Sequence, residues 1–320
     1  MKVFATAMAM LATADSALGA LQQVNGFGTN PTNVQMYISV PAKVAANPAV
    51  VVAVSSSSHQ ETRTSEHAKS IILHTSQLHP CGGNANQWYS STKLPASSES
   101  LGFILIYPQT TRYQNCWDVN SATSLTHNGG GDAAGIISMV NYAVTKYSAD
   151  KSKLFVMGGS SGAMMANVMV GSYPDVFSAG AAYSGTAFAC FAGSKGDPTP
   201  SGNNQTCAQG LQHTPQQWAA YVKNAYPGYT GSRPRFLVAH GLADTLVRPQ
   251  AGYEQLKQWS AVLNVTNTAN QTGSGVDQGS QYTKMIYGDS NQLVGYFGQG
   301  VGHIAPVVEP VLLKFFGLTT

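Results

Sequence analysis

Apolar positions along this chain gather into short continuous runs and not into long alternating stretches. VQMYISVP, AVVVAV, GFILIYP, KLFVMGG and RPRFLVAHG are rich in β-branched or aromatic residues, and most are closed by Gly or Pro. Such runs are expected of parallel strands buried on both faces. Between several of them the apolar period changes to about 3.6, the period of an α-helix. DAAGIISMVNYAVTKYS reads as a helix with Asp132 placed to cap its N-terminus, and SGAMMANVMVGSY follows a strand directly. PQQWAAYVKNAY opens on Pro215, YEQLKQWSAVL is a further helix, and APVVEPVLLKFF closes the chain. Strand alternating with helix predicts an α/β fold, a doubly wound and mostly parallel sheet in a single domain.

One stretch breaks the pattern. After the strand-like VVVA the chain runs through VSSSSHQETRTSEHAKSIILHTSQ before it reaches LHPCGGN, a Gly-rich turn of the kind that ends a strand. The interrupting segment fits neither element, and a strand is cut open just before its own turn.

The N-terminus, MKVFATAMAMLATADSALGA, has Lys2, a short apolar run, and small residues at Ala17, Gly19 and Ala20. That is the layout of a secretory signal peptide over residues 1–19, leaving 20–320 as the mature chain. The run is shorter than the ~20 apolar residues that span a bilayer, and no second hydrophobic span follows. A soluble, secreted, extracellular protein is expected, with no membrane contact. A net charge of +3 with 10% charged residues leaves no basic tract, so nucleic acid is excluded as a partner.

Export makes the four cysteines an even set in an oxidising compartment. Cys190 and Cys207 bracket a loop dominated by Gly, Pro, Ser and Asn, which favours their pairing and leaves Cys81 with Cys116. Sequons at Asn204, Asn264 and Asn270 lie in polar stretches that would tolerate a glycan.

Between KLFVM and AMMANVM sits Gly158-Gly159-Ser160-Ser161-Gly162, a G-x-S-x-G at a strand-to-helix junction. A nucleophile elbow needs that tight turn, because glycines on either side let the serine hold a strained backbone with its Oγ free. A Gly/Ser turn that merely caps a helix is the plain alternative. A serine hydroxyl also needs a base, normally a histidine oriented by a carboxylate. In α/β-hydrolases these follow in the order Ser, Asp, His. Asp244 in HGLADTLVRPQ lies just past a strand, at the edge where catalytic loops collect, and His303 lies in the Gly-rich GQGVGHIAPV.

Competing residues read as structural. Asp132 is a cap or a buried carboxylate, Asp118 in NCWDV supports a loop, and His240 ends a strand ahead of Asp244. His127 and His213 come too early for the expected order. The oxyanion of the tetrahedral intermediate needs backbone N–H donors. Ser161 should give one, and the HPCGGN turn, through Cys81 and Gly82, the other.

LHPCGGNANQWY, GFILIYPQT, NCWDVNSATSLTHNGGGD, GGSSGAMMANVM, HGLADTLVRPQ and GVGHIAPV together resemble the fungal acetylxylan esterases of carbohydrate esterase family one, a group related to feruloyl esterases and polyhydroxybutyrate depolymerases. The likeness spans the mature chain apart from the interrupting segment. It implies a secreted α/β-hydrolase that removes acetyl groups from xylan without a cofactor. The cysteines form no C-x-x-C pair, so no metal site is expected, and the protein is expected to be a monomer. By matching motif the resemblance also implies Ser160 as nucleophile, Asp244 and His303 as its relay, and the HPCGG turn as part of the oxyanion hole.

In that family pattern the strand runs straight into the turn, as it would here if Val54 to Gln77 were absent. Every valine codon begins GT and a glutamine codon can be CAG, so the segment's ends match intron borders, and its length keeps the reading frame. Residues 54–77 therefore read as an unspliced intron. The rivals are a true surface insertion and a metal site built from His59, His67 and His74, which lack a short ligand spacing.

Three other functions remain open from the sequence. Feruloyl esterase activity uses the same triad and depends on whether the acyl pocket admits an aromatic ring. A polyester depolymerase would want an apolar surface groove. A non-catalytic polysaccharide-binding protein would follow if the insertion disabled the oxyanion turn. Trp88, Trp117 and Tyr113 are candidates for stacking on sugar, with Trp117 the one best suited to core packing.

Overall fold

The computed structural model describes residues 19–54, 82–112, 115–194, 205–289 and 291–320. Its centre is β3 (Val50–Val54), buried at every position. Val50, Val52 and Val54 enter one hydrophobic core while Val51 and Ala53 enter the other. Successive side chains of a strand point to opposite faces, so an unbroken valine-rich run is what a doubly covered strand requires.

β4 (Ile104–Gln109) and β5 (Leu154–Gly159) flank β3 in parallel, with Val50 opposite both Ile104 and Leu154. β6 (Ala179–Tyr183), β7 (Arg235–Gly241) and β10 (Leu293–Gly298) continue the parallel block. At one edge lie β1 (Gln22–Val24) and β2 (Gln35–Ser39), and at the other β9 (Tyr282–Tyr287) and β8 (Asn267–Gln271), all paired antiparallel. The order across the sheet is β1-β2-β4-β3-β5-β6-β7-β10-β9-β8.

Helices cover both faces. α3 (Gly131–Tyr147), α4 (Ser161–Ser172), α6 (Pro215–Ala225) and α7 (Pro249–Leu263) supply one core. α1 (Ala85–Ser91), α2 (Leu94–Leu101) and α8 (Glu309–Phe316) supply the other, and the short α5 (Gln205–Ala208) carries Cys207. The fold is that of an α/β-hydrolase.

The VQMYISVP run, read as a parallel strand, is instead the antiparallel β2. It has no helical crossover before it, only a short connection from β1, and so it pairs as a hairpin does. β6 carries no β-branched signal because AGAAY must be small: a Cβ on Gly180 would lie 2.5 Å from Val170 of α4 and 2.8 Å from Phe236. That close approach lets α4 lie buried along its whole length.

Asp132 does not cap α3, whose N-cap is Gly130. It sits fully buried in the first turn, where its Oδ2 accepts the Asp118 N–H at 3.0 Å. Trp88 does not offer a face to sugar either, since it is 1% exposed and packs beneath the sheet with Leu94 and Tyr107. Trp117 is likewise buried, and Tyr113 lies outside the described residues. Cys190 and Cys207 form a disulfide. Cys116 is also disulfide-bonded, while Cys81, Asn204, residues 1–18 and residues 55–77 lie outside the described residues.

Candidate active site

Ser160 occupies the turn between β5 and α4 with φ 51° and ψ −121°, a conformation that L-residues rarely adopt and that functional sites store as strain. Its amide donates to the Tyr183 carbonyl at 2.9 Å, which fixes the turn against β6. Two residues earlier, a Cβ on Gly158 would lie 2.3 Å from the Gly162 carbonyl oxygen. Only glycine lets the strand turn back into the helix this tightly.

His303 and Asp244 come to Ser160 from separate loops. His303 Nε2 lies 2.8 Å from Ser160 Oγ, and His303 Nδ1 lies 2.7 Å from Asp244 Oδ2. The spacing suits a proton passing from the hydroxyl to the imidazole, with the carboxylate holding the other ring nitrogen protonated. Asp244 Oδ1 accepts the Leu246 and Val247 amides, both at 2.9 Å. Burial pushes the Asp244 carboxyl up, but the His303 hydrogen bond and charge, His240 and the Val247 amide together hold it below its ordinary value. The group is therefore an anion, 1% exposed and fully partnered.

The loop bearing His303 is held from two sides. Its Ala305 amide donates to Ser184 Oγ at 3.0 Å, and its Val301 carbonyl accepts the Ala243 amide at 2.9 Å. Ser184 is fully buried with φ 55°, and it directly follows the carbonyl that holds Ser160. Sequence reading missed Ser184, because a serine after an alanine-rich strand carries no local signal of a contact 121 residues away.

On the side expected to receive an oxyanion, Ser161 begins α4 and its Oγ accepts the Trp117 amide at 2.9 Å. Gly82 has φ 121°, and the neighbouring Gly83 carbonyl accepts from Asn115 Nδ2 at 2.8 Å. The Gly82 turn is thus tied to the loop that carries Cys116 and Trp117. Cys81, the other expected donor, is outside the described residues.

His127 and His213 make their contacts elsewhere. His127 stacks on Tyr226 at 3.7 Å and lies 2.8 Å from the Ser172 carbonyl, and His213 packs edge-on against Trp218. Asp118 ties down its own loop by accepting from Ser121 and pairing with Arg112 at 3.3 Å. Asn264 and Asn270 are both exposed.

The chain is 52% identical over 308 residues to feruloyl esterase B of Neurospora crassa, an alignment covering 96% of each chain. It belongs to the family of fungal feruloyl and acetylxylan esterases. Another member, acetylxylan esterase A of Aspergillus awamori, is 41% identical over 93% of this chain and 90% of its own. The solved acetyl xylan esterase from Aspergillus awamori superposes with a TM-score of 0.81 at 40% identity, covering 94% of this chain and all of that one. Residues 66–202 also match the family model described as Esterase PHB depolymerase.

Proposed function

We propose that this esterase hydrolyses feruloyl esters of hemicellulose through an acyl-enzyme on Ser160. The hydrogen-bonded chain from Ser160 Oγ through His303 to Asp244 carries the reading. His303 Nε2 takes the Ser160 proton as Oγ attacks the ester carbonyl, and the same imidazolium then protonates the departing sugar hydroxyl. Water enters, gives its proton to His303, and frees the acid from Ser160. Asp244 keeps the imidazole in the tautomer that faces Ser160. The Ser161 amide, at the positive end of α4, and the Cys81–Gly82 turn receive the oxyanion.

Feruloyl in place of the acetyl group expected from sequence rests on one comparison. Identity is 52% to the Neurospora feruloyl esterase against 41% to the Aspergillus acetylxylan esterase. Acetyl removal from xylan is the second reading, favoured by the superposition on the solved acetyl xylan esterase. Rates on methyl ferulate and on acetylated xylan, taken with one preparation, decide between them. A higher kcat/KM on methyl ferulate is expected, and faster acetate release would reverse the assignment. Labelling of Ser160 by a fluorophosphonate separates either activity from a binding protein that lacks turnover.

The rest of the reading follows the sequence. The leader over residues 1–19 directs export, the mature monomer acts outside the cell, and the exposed Asn264 and Asn270 accept glycans. N-terminal sequencing, gel filtration and glycosidase treatment of the protein recovered from the culture medium check these statements.

A further inference from the structure

His240 ends β7 beside the carboxylate of the triad and has no part in the proton path. It is fully buried, stacked 6.3 Å from Phe297 of β10 and closed over by Gly252 of α7, where a Cβ would lie 2.8 Å from its Nδ1. Its Nε2 lies 2.9 Å from the Val247 carbonyl and 3.5 Å from Asp244 Oδ2. A carbonyl only accepts, so Nε2 carries the proton. Nδ1 is buried and has no hydrogen-bond partner among the described residues. Protonating it would place an N–H with no acceptor in an apolar wall, which costs far more than the bare nitrogen does. The charged or titratable groups that face the ring are Asp244 and His303, both from loops; β10 and α7 present Phe297 and Gly252. Burial lowers the pKa of the ring, and the nearby His303 adds to that, while the Val247 carbonyl and Asp244 oppose it.

We infer that His240 is a positioning residue for the triad, a buried imidazole whose Nε2–H clamps the Asp244 turn. The clamp closes through one residue. Val247 gives its amide to Asp244 Oδ1 and its carbonyl to His240. The turn is therefore fixed at both backbone polar groups of a single residue, and Asp244 Oδ2 is aimed at His303. This inference rests on the triad reading of Ser160, Asp244 and His303.

The test compares His240→Phe, which keeps ring volume without a donor, with His240→Gln, whose amide nitrogen reaches the Nε2 position. With p-nitrophenyl acetate as substrate, His240→Phe should lose kcat on the order of 10-fold to 100-fold with KM little changed. His240→Gln should recover most of the rate. Where His240→Phe does not fold, His240→Asn, which falls short of the Nε2 position, replaces it. A folded donor-less variant with the wild-type rate, or equal losses in the Gln variant, overturns the inference. Proton NMR of the His303 Nδ1–H shared with Asp244, in a Ser160→Ala background with and without His240→Phe, reads the same loosening without turnover: its downfield resonance should broaden or vanish in the Phe variant, and an unchanged resonance counts against the clamp. That arm stands even if wild-type protein proves inactive on esters, which would instead sink the esterase reading.

Discussion

Gly241 and Val301 meet backbone against backbone: a Cβ on Gly241 would lie 2.2 Å from the Val301 carbonyl oxygen, which is already taken by the Ala243 amide at 2.9 Å. This contact joins the turn that carries Asp244 to the loop that carries His303. Gly241→Ala must push those two apart, since a backbone oxygen cannot swing aside as a side chain does. The expected result is a loss of about 10²-fold in kcat, the cost of a displacement near 1 Å, with a smaller loss of stability. Kinetics on a model ester and a thermal melt check both.

Replacing the proposed nucleophile separates chemistry from strain. Ser160→Ala should abolish turnover by roughly 10⁴-fold or more while the fold persists. Ser160→Gly should be equally inactive but more stable than the Ala variant by about 1 kcal/mol, because glycine adopts φ 51° without penalty. Urea unfolding of the pair measures the difference.

Ser184→Ala removes the acceptor of the Ala305 amide and leaves a buried N–H unpaired. A stability loss of about 1–3 kcal/mol follows from that group alone. The loop bearing His303 loosens with it, so kcat should fall on the order of 10-fold while KM holds. Ser184→Thr, which restores an oxygen, should recover part of the rate.

Asp132 carries a pH dependence of defined sign. Burial raises its pKa above 3.8, against hydrogen bonds from Thr32 and the Asp118 amide and the charge of Arg112, with the Asp118 charge adding to the rise. A carboxyl whose folded pKa is raised contributes stability below pH 3.8 and loses it as the pH climbs through the folded value. Asp132 Oδ1 makes no hydrogen bond of good geometry, and an amide nitrogen placed there can donate to the Thr32 hydroxyl. Asp132→Asn should therefore gain on wild type as the pH rises from 3 toward 7. Urea midpoints across that range check it, and a difference that shrinks with rising pH would contradict it.

The proposed foreign segment has its own test. Joining Ala53 to Leu78 puts an apolar residue where Val54 now ends β3 opposite Gly158, so the strand should survive deletion of 54–77. The shortened chain is expected to be at least as active on model esters as the full one. A folded but silent short form would mark the segment as part of the working enzyme.

Much of this protein was legible from the sequence, because its strongest constraints are local. β3, β4, β5 and β7 announce themselves as apolar runs since both faces are covered, and Ser160 does so because a strand can turn so sharply into a helix only between glycines. Order along the chain set Asp244 and His303 apart from five aspartate and histidine rivals, and the folded loops bring both to Ser160. Other features were decided by tertiary structure. β6 is a strand whose residues are chosen for the helix lying on it, and Trp88 is buried because the sheet beneath its helix, not its own sequence context, determines exposure. The anchors of the site are of the same kind: Ser184 meets Ala305, Gly241 meets Val301, and His240 meets Val247 and Asp244 only once the loops have converged. A motif records what one turn of backbone must do by itself, whereas the partner of a buried hydroxyl or imidazole is set by segments that the chain brings together from far apart.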